Sequence, residues 1–189
     1  MSDKLMNVEE FTTKVLGIDW NELYPFWRYY LHNIFERRTT TSVQIQIQSP
    51  IGSCKTTIAQ IIICYQIYLM HEDEAHKTLL RSVGDTGGVI NVMVSERRLF
   101  EAVSRMILGS SMIKYVRHHN ASRINFRNNI EMLAGDSTTD ILGRNLFSVV
   151  REIGHYPDVE LARMIDRRIQ SRFGPSLLPL HLEIFNKGM

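Results

Sequence analysis

The run Val43-Gln44-Ile45-Gln46-Ile47-Gln48 alternates β-branched and amide side chains without a break. It leads directly into Ser49-Pro50-Ile51-Gly52-Ser53-Cys54, and an apolar stretch begins at Lys55 and continues to Met70. Strict alternation is the pattern of a strand with one buried face. The Pro-Gly-Ser cluster is turn chemistry, and the long apolar block that follows is helical in length and buried in character. Strand, turn and helix in this order form the first half of a βαβ unit. They predict an α/β domain of three layers with a mainly parallel central sheet.

The rest of the chain is compatible with that plan. Helices are predicted over 8–16 and 20–37, giving an N-terminal helical segment (1–40) ahead of a core (41–189). A strand is predicted over 89–94 and an amphipathic helix over 96–108. Residues 123–126 and 130–133 read as a hairpin across Arg127-Asn128-Asn129. The apolar run 146–150 reads as a buried parallel strand. A helix over 159–173 is stopped by Gly174-Pro175, and a last strand follows over 180–185. The charged, glycine-rich stretch 71–88 reads as a surface loop, and His118-His119 as a polar turn before the hairpin.

Bulk properties narrow the partners. A chain of 189 residues with 44% hydrophobic and 22% charged residues has the makings of one globular domain. A net charge of +2 does not mark a general polyanion binder, so any nucleic-acid contact needs a local basic patch. Cys54 and Cys64 suggest neither a disulfide framework nor a metal site. The start MSDKLMNVEE lacks the apolar core of a secretory leader, and the stretch 58–70 is interrupted by Gln60, Tyr65 and Gln66. A cytoplasmic location with no membrane contact is expected.

The turn can be laid on the phosphate-loop pattern G-x-x-x-x-G-K-[ST], with Ser49 and Cys54 in the two glycine positions and Ser53 just before Cys54. In such a loop consecutive main-chain N–H groups wrap the phosphates, and the helix N-terminus favours negative charge. Lys55 would reach the terminal phosphates of ATP, Thr56 would ligate Mg²⁺, and Thr57 completes the first turn. Glycine before the lysine adopts torsions closed to most residues, so Cys54 is expected to strain the loop or obstruct the ligand. An ordinary strand-to-helix turn with a chance Lys-Thr fits the same residues. A cysteine at a helix N-terminus beside a lysine can also be a reactive thiol.

A phosphate-loop ATPase needs an acidic element at the end of a neighbouring parallel strand. Leu146-Phe147-Ser148-Val149-Val150 runs into Arg151-Glu152. Glu152 stands where a catalytic base belongs. Arg151 stands where a magnesium-associated aspartate belongs, with the opposite charge.

In order, these features resemble the large subunit of tailed-phage and herpesvirus-type terminases, the ATPase–nuclease that packages viral DNA. The aromatic segment Tyr24-Pro25-Phe26-Trp27-Arg28-Tyr29-Tyr30 precedes the loop, where that family carries an adenine-side motif. The stretch 123–131, Gly135-Asp136-Ser137, Leu142-Gly143-Arg144-Asn145-Leu146 and Arg172-Phe173-Gly174-Pro175 follow in the family's order, so the likeness spans about 20–180.

The resemblance implies an additional-strand, RecA-like P-loop NTPase that hydrolyses ATP with Mg²⁺ to move double-stranded DNA in a ring of sister subunits. A portal protein and a small terminase subunit would be its partners on the viral procapsid. Trp27 would lie near the base, and Arg144 would face a neighbouring subunit's nucleotide, although most surface arginines have no such role. The family commonly holds arginine at the position of Ile51, glycine at Cys54 and aspartate at Arg151. These departures suggest a weakened ATPase, or a nucleotide-binding or structural module of the same fold. The clustered aspartates of the family's nuclease domain are not among these residues. Arg163, Arg167, Arg168 and Arg172 recur along one predicted helix. They fit a DNA-facing stripe or, with Glu160 and Asp166 between them, a solvated face.

Overall fold

The computed structural model describes residues 5–36, 44–49, 53–85, 88–135, 144–153, 158–173 and 180–186. The connector 37–41, the 40/41 boundary, Pro50, Ile51 and Gly52, Asp136-Ser137, Leu142-Gly143 and Gly174-Pro175 lie outside them.

Helices α1 (Val8–Lys14) and α2 (Pro25–Phe35) precede strand β1 (Gln44–Ser49) and helix α3 (Lys55–Glu72). Helix α4 (Glu74–Asp85), strand β2 (Ile90–Val94) and helix α5 (Arg97–Leu108) follow. A 3₁₀ turn (Ser111–Tyr115) then enters β3 (Val116–His119), β4 (Arg123–Phe126) and β5 (Ile130–Ala134). Strand β6 (Asn145–Ile153), helix α6 (Val159–Arg172) and strand β7 (Leu180–Asn186) complete the described chain. The strands make one 7-stranded sheet in the order β1-β7-β6-β2-β5-β4-β3. Pairing is parallel from β1 through β5 and antiparallel across β5-β4-β3.

Helices cover both faces. On one side Val92, Val94, Val150 and Leu182 join a cluster with α3, α5 and the N-terminal helices. On the other, Met93, Leu146 and Val149 pack with Ile165 and Ile169 of α6. A strand covered on both faces has no solvent side to alternate with, which is why every residue of β2 is buried. Helix α3 is apolar all round because it is enclosed all round: Ile58, Ile61, Ile62, Ile63 and Ile67 have no exposed surface. Two of its tyrosine hydroxyls are satisfied by the N-terminal segment. The Tyr65 hydroxyl donates to the Met6 carbonyl at 2.9 Å, and the Tyr68 hydroxyl accepts from the Met6 amide at 3.0 Å. Val8, Phe11, Trp20 and Trp27 belong to the same cluster as α3, so the N-terminal helices close the main core.

Two expectations are corrected. Residues 71–88 are largely helix, since α4 occupies Glu74–Asp85. Asp73 accepts from the His76 amide at 3.2 Å and stands 2.6 Å from the ring, a cap that fixes the helix start. His76 and Leu80 are buried, four positions apart on one stripe, while the glycines that suggested a loop lie at its far end. His118-His119 form the exposed end of β3 and are not a turn. The hairpin turn itself is as expected. Asn128 and Asn129 have φ of 62° and 57°, the left-handed pair of a type I′ turn, which asparagine tolerates better than most residues.

Candidate phosphate-loop site

The parallel strands all end on the same edge. Ser49 of β1 stands beside Asn186 of β7, and Ile153 of β6 beside Phe185. Strand β7 therefore lies between the strand that enters the loop and the strand that carries Glu152. At ~4.8 Å per strand those two chain ends are about 10 Å apart, at the carboxyl ends of the strands, the usual ligand position in an open α/β sheet.

Cys54 is the N-cap of α3 with φ 61° and ψ 25°, and its side chain makes no capping hydrogen bond. This is the left-handed conformation that the pattern requires of glycine, here held by a residue with a Cβ at a cost of about 1–2 kcal/mol. The first turn of α3 contains no acidic residue, and Cys54 gives its N–H donors no side-chain cap. Lys55 is buried at 7% exposure with its ammonium 3.5 Å from the Ser53 hydroxyl, and Thr56 and Thr57 follow, half-buried. An anion is the natural complement of orphan helix donors beside a buried cation. Cys54 is exposed, and its neighbour in composition, Cys64, is a core thiol pushed well up by burial.

Trp27 reaches this loop by a different route from a stacking platform. Its ring is fully buried, packed against Phe26 at 4.5 Å and Tyr30 at 6.1 Å, and its indole N–H donates to the Ser53 carbonyl at 2.5 Å. It pins the main chain immediately before Cys54 and offers no open face to a base.

The strand carrying Glu152 contains a feature that local sequence could not disclose. Arg151, 7% exposed, donates to Glu183 of β7 at 3.0 Å, and Glu183 has no exposed surface. Gln46 of β1 donates to the same carboxylate at 3.0 Å. His181 Nε2 stands 3.3 Å from Glu183, and His181 Nδ1 is 2.8 Å from Asp166 of α6. Burial opposes a charge on His181, but Asp166 and Glu183 outweigh it and raise the imidazole above its ordinary value. Burial likewise raises Glu183, yet the hydrogen bonds from His181 and Gln46, with the charges of His181 and Arg151, hold its carboxyl below the usual range. Arg151 is thus one member of a buried charge row across β7 and β6, tied to α6, with the Gln46 amide of β1 at its end. Glu152 follows it as the partner of Ile184.

Arg144 does not join this group. It immediately precedes β6, at the opposite edge of the sheet from the loop, 3.6 Å from Glu131, which also binds Arg123 at 3.1 Å. Arg163, Arg167 and Arg168 of α6 line an open hollow of about 650 Å³ with Glu160, Met164 and Ser171. No helix among the described residues is long and apolar enough to cross a membrane.

No protein-family model and no curated protein matches the sequence. Among solved structures, the fold is similar to the crystal structure of the HK97 bacteriophage large terminase, with a TM-score of 0.59 at 14% identity. The superposition covers 95% of this chain and 37% of that one, so this chain spans little more than a third of the length of the terminase it matches. A parallel sheet with a turn at the N-terminus of a buried central helix, superimposable over nearly the whole chain, makes this a terminase-like α/β fold.

Proposed function

We propose that this chain is the nucleotide-binding domain of a DNA-packaging motor of the terminase type, taking ATP with Mg²⁺ at the end of β1. The observation that carries the reading is the start of α3, where an uncapped, left-handed Cys54 is followed by a buried Lys55. The strand order, with β7 between β1 and β6, supports the RecA-like layout that the sequence suggests.

In this reading the phosphates of the nucleotide lie against the N-terminal end of α3, next to Ser53 and Cys54. The α3 amides donate to phosphate oxygens, and the Lys55 ammonium faces the β- and γ-phosphates. The Thr56 hydroxyl holds the metal, and Glu152 orients the attacking water. Mg²⁺, when bound, would supply neutralisation of the phosphate charge. Trp27 acts through Ser53, holding the loop in register. Arg144, away from its own loop, would serve a neighbour in a ring of sister subunits. Double-stranded DNA, a portal protein and a small terminase subunit are the partners this reading implies, in the host cytoplasm.

Arg151 favours a second reading, a module that holds nucleotide and turns it over poorly. The position expected to be a magnesium-associated aspartate is a guanidinium committed to Glu183, so that acid is missing from the site.

The test is to titrate ATP and Mg²⁺ against the chain and follow both binding and phosphate release. Lys55→Ala should abolish binding and Cys54→Gly should strengthen it. Release should stay slow until aspartate is restored by Arg151→Asp combined with Glu183→Gln, which avoids burying two carboxylates face to face. Absence of binding in both the natural chain and Cys54→Gly would sink the phosphate-loop assignment.

A further inference from the structure

The sheet edge farthest from β1 carries a charge concentration that the nucleotide reading does not use. Between Glu101 and Glu131 the sequence has no acidic residue, yet it contains Arg105, Lys114, Arg117, Arg123 and Arg127 with His118 and His119. Folding collects most of these on the β3–β4 hairpin and its flanks. Lys114 pairs with Glu72 at 3.4 Å, while Arg123 and Arg144 share the single carboxylate of Glu131. Lys114, Arg117, Arg123 and Arg127 against Glu72 and Glu131 give this edge as large a positive surplus as the whole chain, whose net charge is +2.

Arg117 and Arg127 are exposed and have no carboxylate partner among the described residues. Together with Val116 and Asn128 they line one open hollow of about 500 Å³. Arg117 and His118 also line a second of about 370 Å³ with Asn125 and Asn129. Charges on an edge strand deter strand-to-strand pairing, which would account for Arg117. That does not account for Arg127, which follows β4 at the turn and converges on the same hollow.

Two guanidiniums over one hollow match the fork geometry of phosphate oxygens. The rings of this edge, Tyr115 and Phe126, are buried, so no stacking platform for bases is offered. Such a surface reads a backbone and not a sequence. We propose that the β3–β4 edge binds the phosphodiester backbone of duplex nucleic acid, with Arg117 and Arg127 as its principal contacts. It lies six strand spacings from β1, roughly 29 Å, well away from the phosphate loop.

The experiment is fluorescence anisotropy of a labelled mixed-sequence DNA duplex against the whole chain, without nucleotide, across a salt series. Arg117→Glu with Arg127→Glu should weaken binding about tenfold or more at low salt and flatten the log–log salt slope by about 2. Arg81→Glu with Arg98→Glu removes the same charge from exposed positions elsewhere and should leave binding within about twofold. Three results would overturn the proposal: no duplex binding by the natural chain, loss through Arg163→Glu with Arg167→Glu in place of the edge pair, or equal displacement by poly-aspartate of matched charge. Because nucleotide is absent, each of these leaves the Lys55 reading standing.

Discussion

Arg151→Met isolates the energetics of the buried charge row. Arg151 and Glu183 are 7% and 0% exposed, and the guanidinium shares that carboxylate with Gln46 and His181. Removing one partner of a buried ion pair costs about 3–5 kcal/mol, because the other charge is left without compensation. His181 and Gln46 remain beside Glu183, so the lower figure, about 3 kcal/mol, applies here. For a chain of this length that is a fall in Tm of roughly 6–12 °C. Adding Glu183→Gln to Arg151→Met removes the stranded charge and should recover most of the loss, since buried pairs replaced together are often neutral. Thermal unfolding followed by circular dichroism on the single variants and the double gives the coupling directly. A loss below about 1 kcal/mol in Arg151→Met, or strict additivity in the double variant, would refute the reasoning.

Three further outcomes follow from the same geometry. His181 is raised above its ordinary 6.5, so its contribution is complete below that value and is lost as pH rises through its folded value. Glu183 is depressed below its ordinary 4.5, so its contribution is complete above that value and is lost as pH falls through its folded one. The row should therefore stabilise most between about pH 4.5 and 6.5, and His181→Asn should flatten the alkaline limb of a Tm-versus-pH curve. Cys54→Gly relieves about 1–2 kcal/mol of left-handed strain and costs about 0.5–1 in chain entropy, so denaturant titration should show a net gain of roughly 0.5–1 kcal/mol. Trp27→Phe removes the indole donor to the part-buried Ser53 carbonyl and should cost about 1 kcal/mol, with weaker ATP binding as the readout of loop position.

Several elements are legible in the sequence because their signals are local. The β1–loop–α3 unit follows from a change of hydrophobic period at Ser49, and the β4–β5 hairpin from Arg127-Asn128-Asn129, where the two asparagines meet a torsional demand set within four residues. Helix α4 was hidden because Gly84, Gly87 and Gly88 carry a stronger turn signal than the Asp73 cap and the His76 to Leu80 stripe, whose value depends on the core it meets. At the candidate site, Lys55 after an anomalous Cys54 could be read from the chain, including the demand for a left-handed torsion.

That Trp27 holds Ser53 across 26 positions could not be read. Nor could the pairing of Arg151 with Glu183, 32 positions apart, where sequence showed only a residue of the wrong sign. Periodicity and turn chemistry act over a few residues, so the amino-acid order alone determines which segments are strands and helices. Neighbours in a parallel sheet are joined only through long crossovers, so which charges meet in the interior was decided when β7 took its place between β1 and β6.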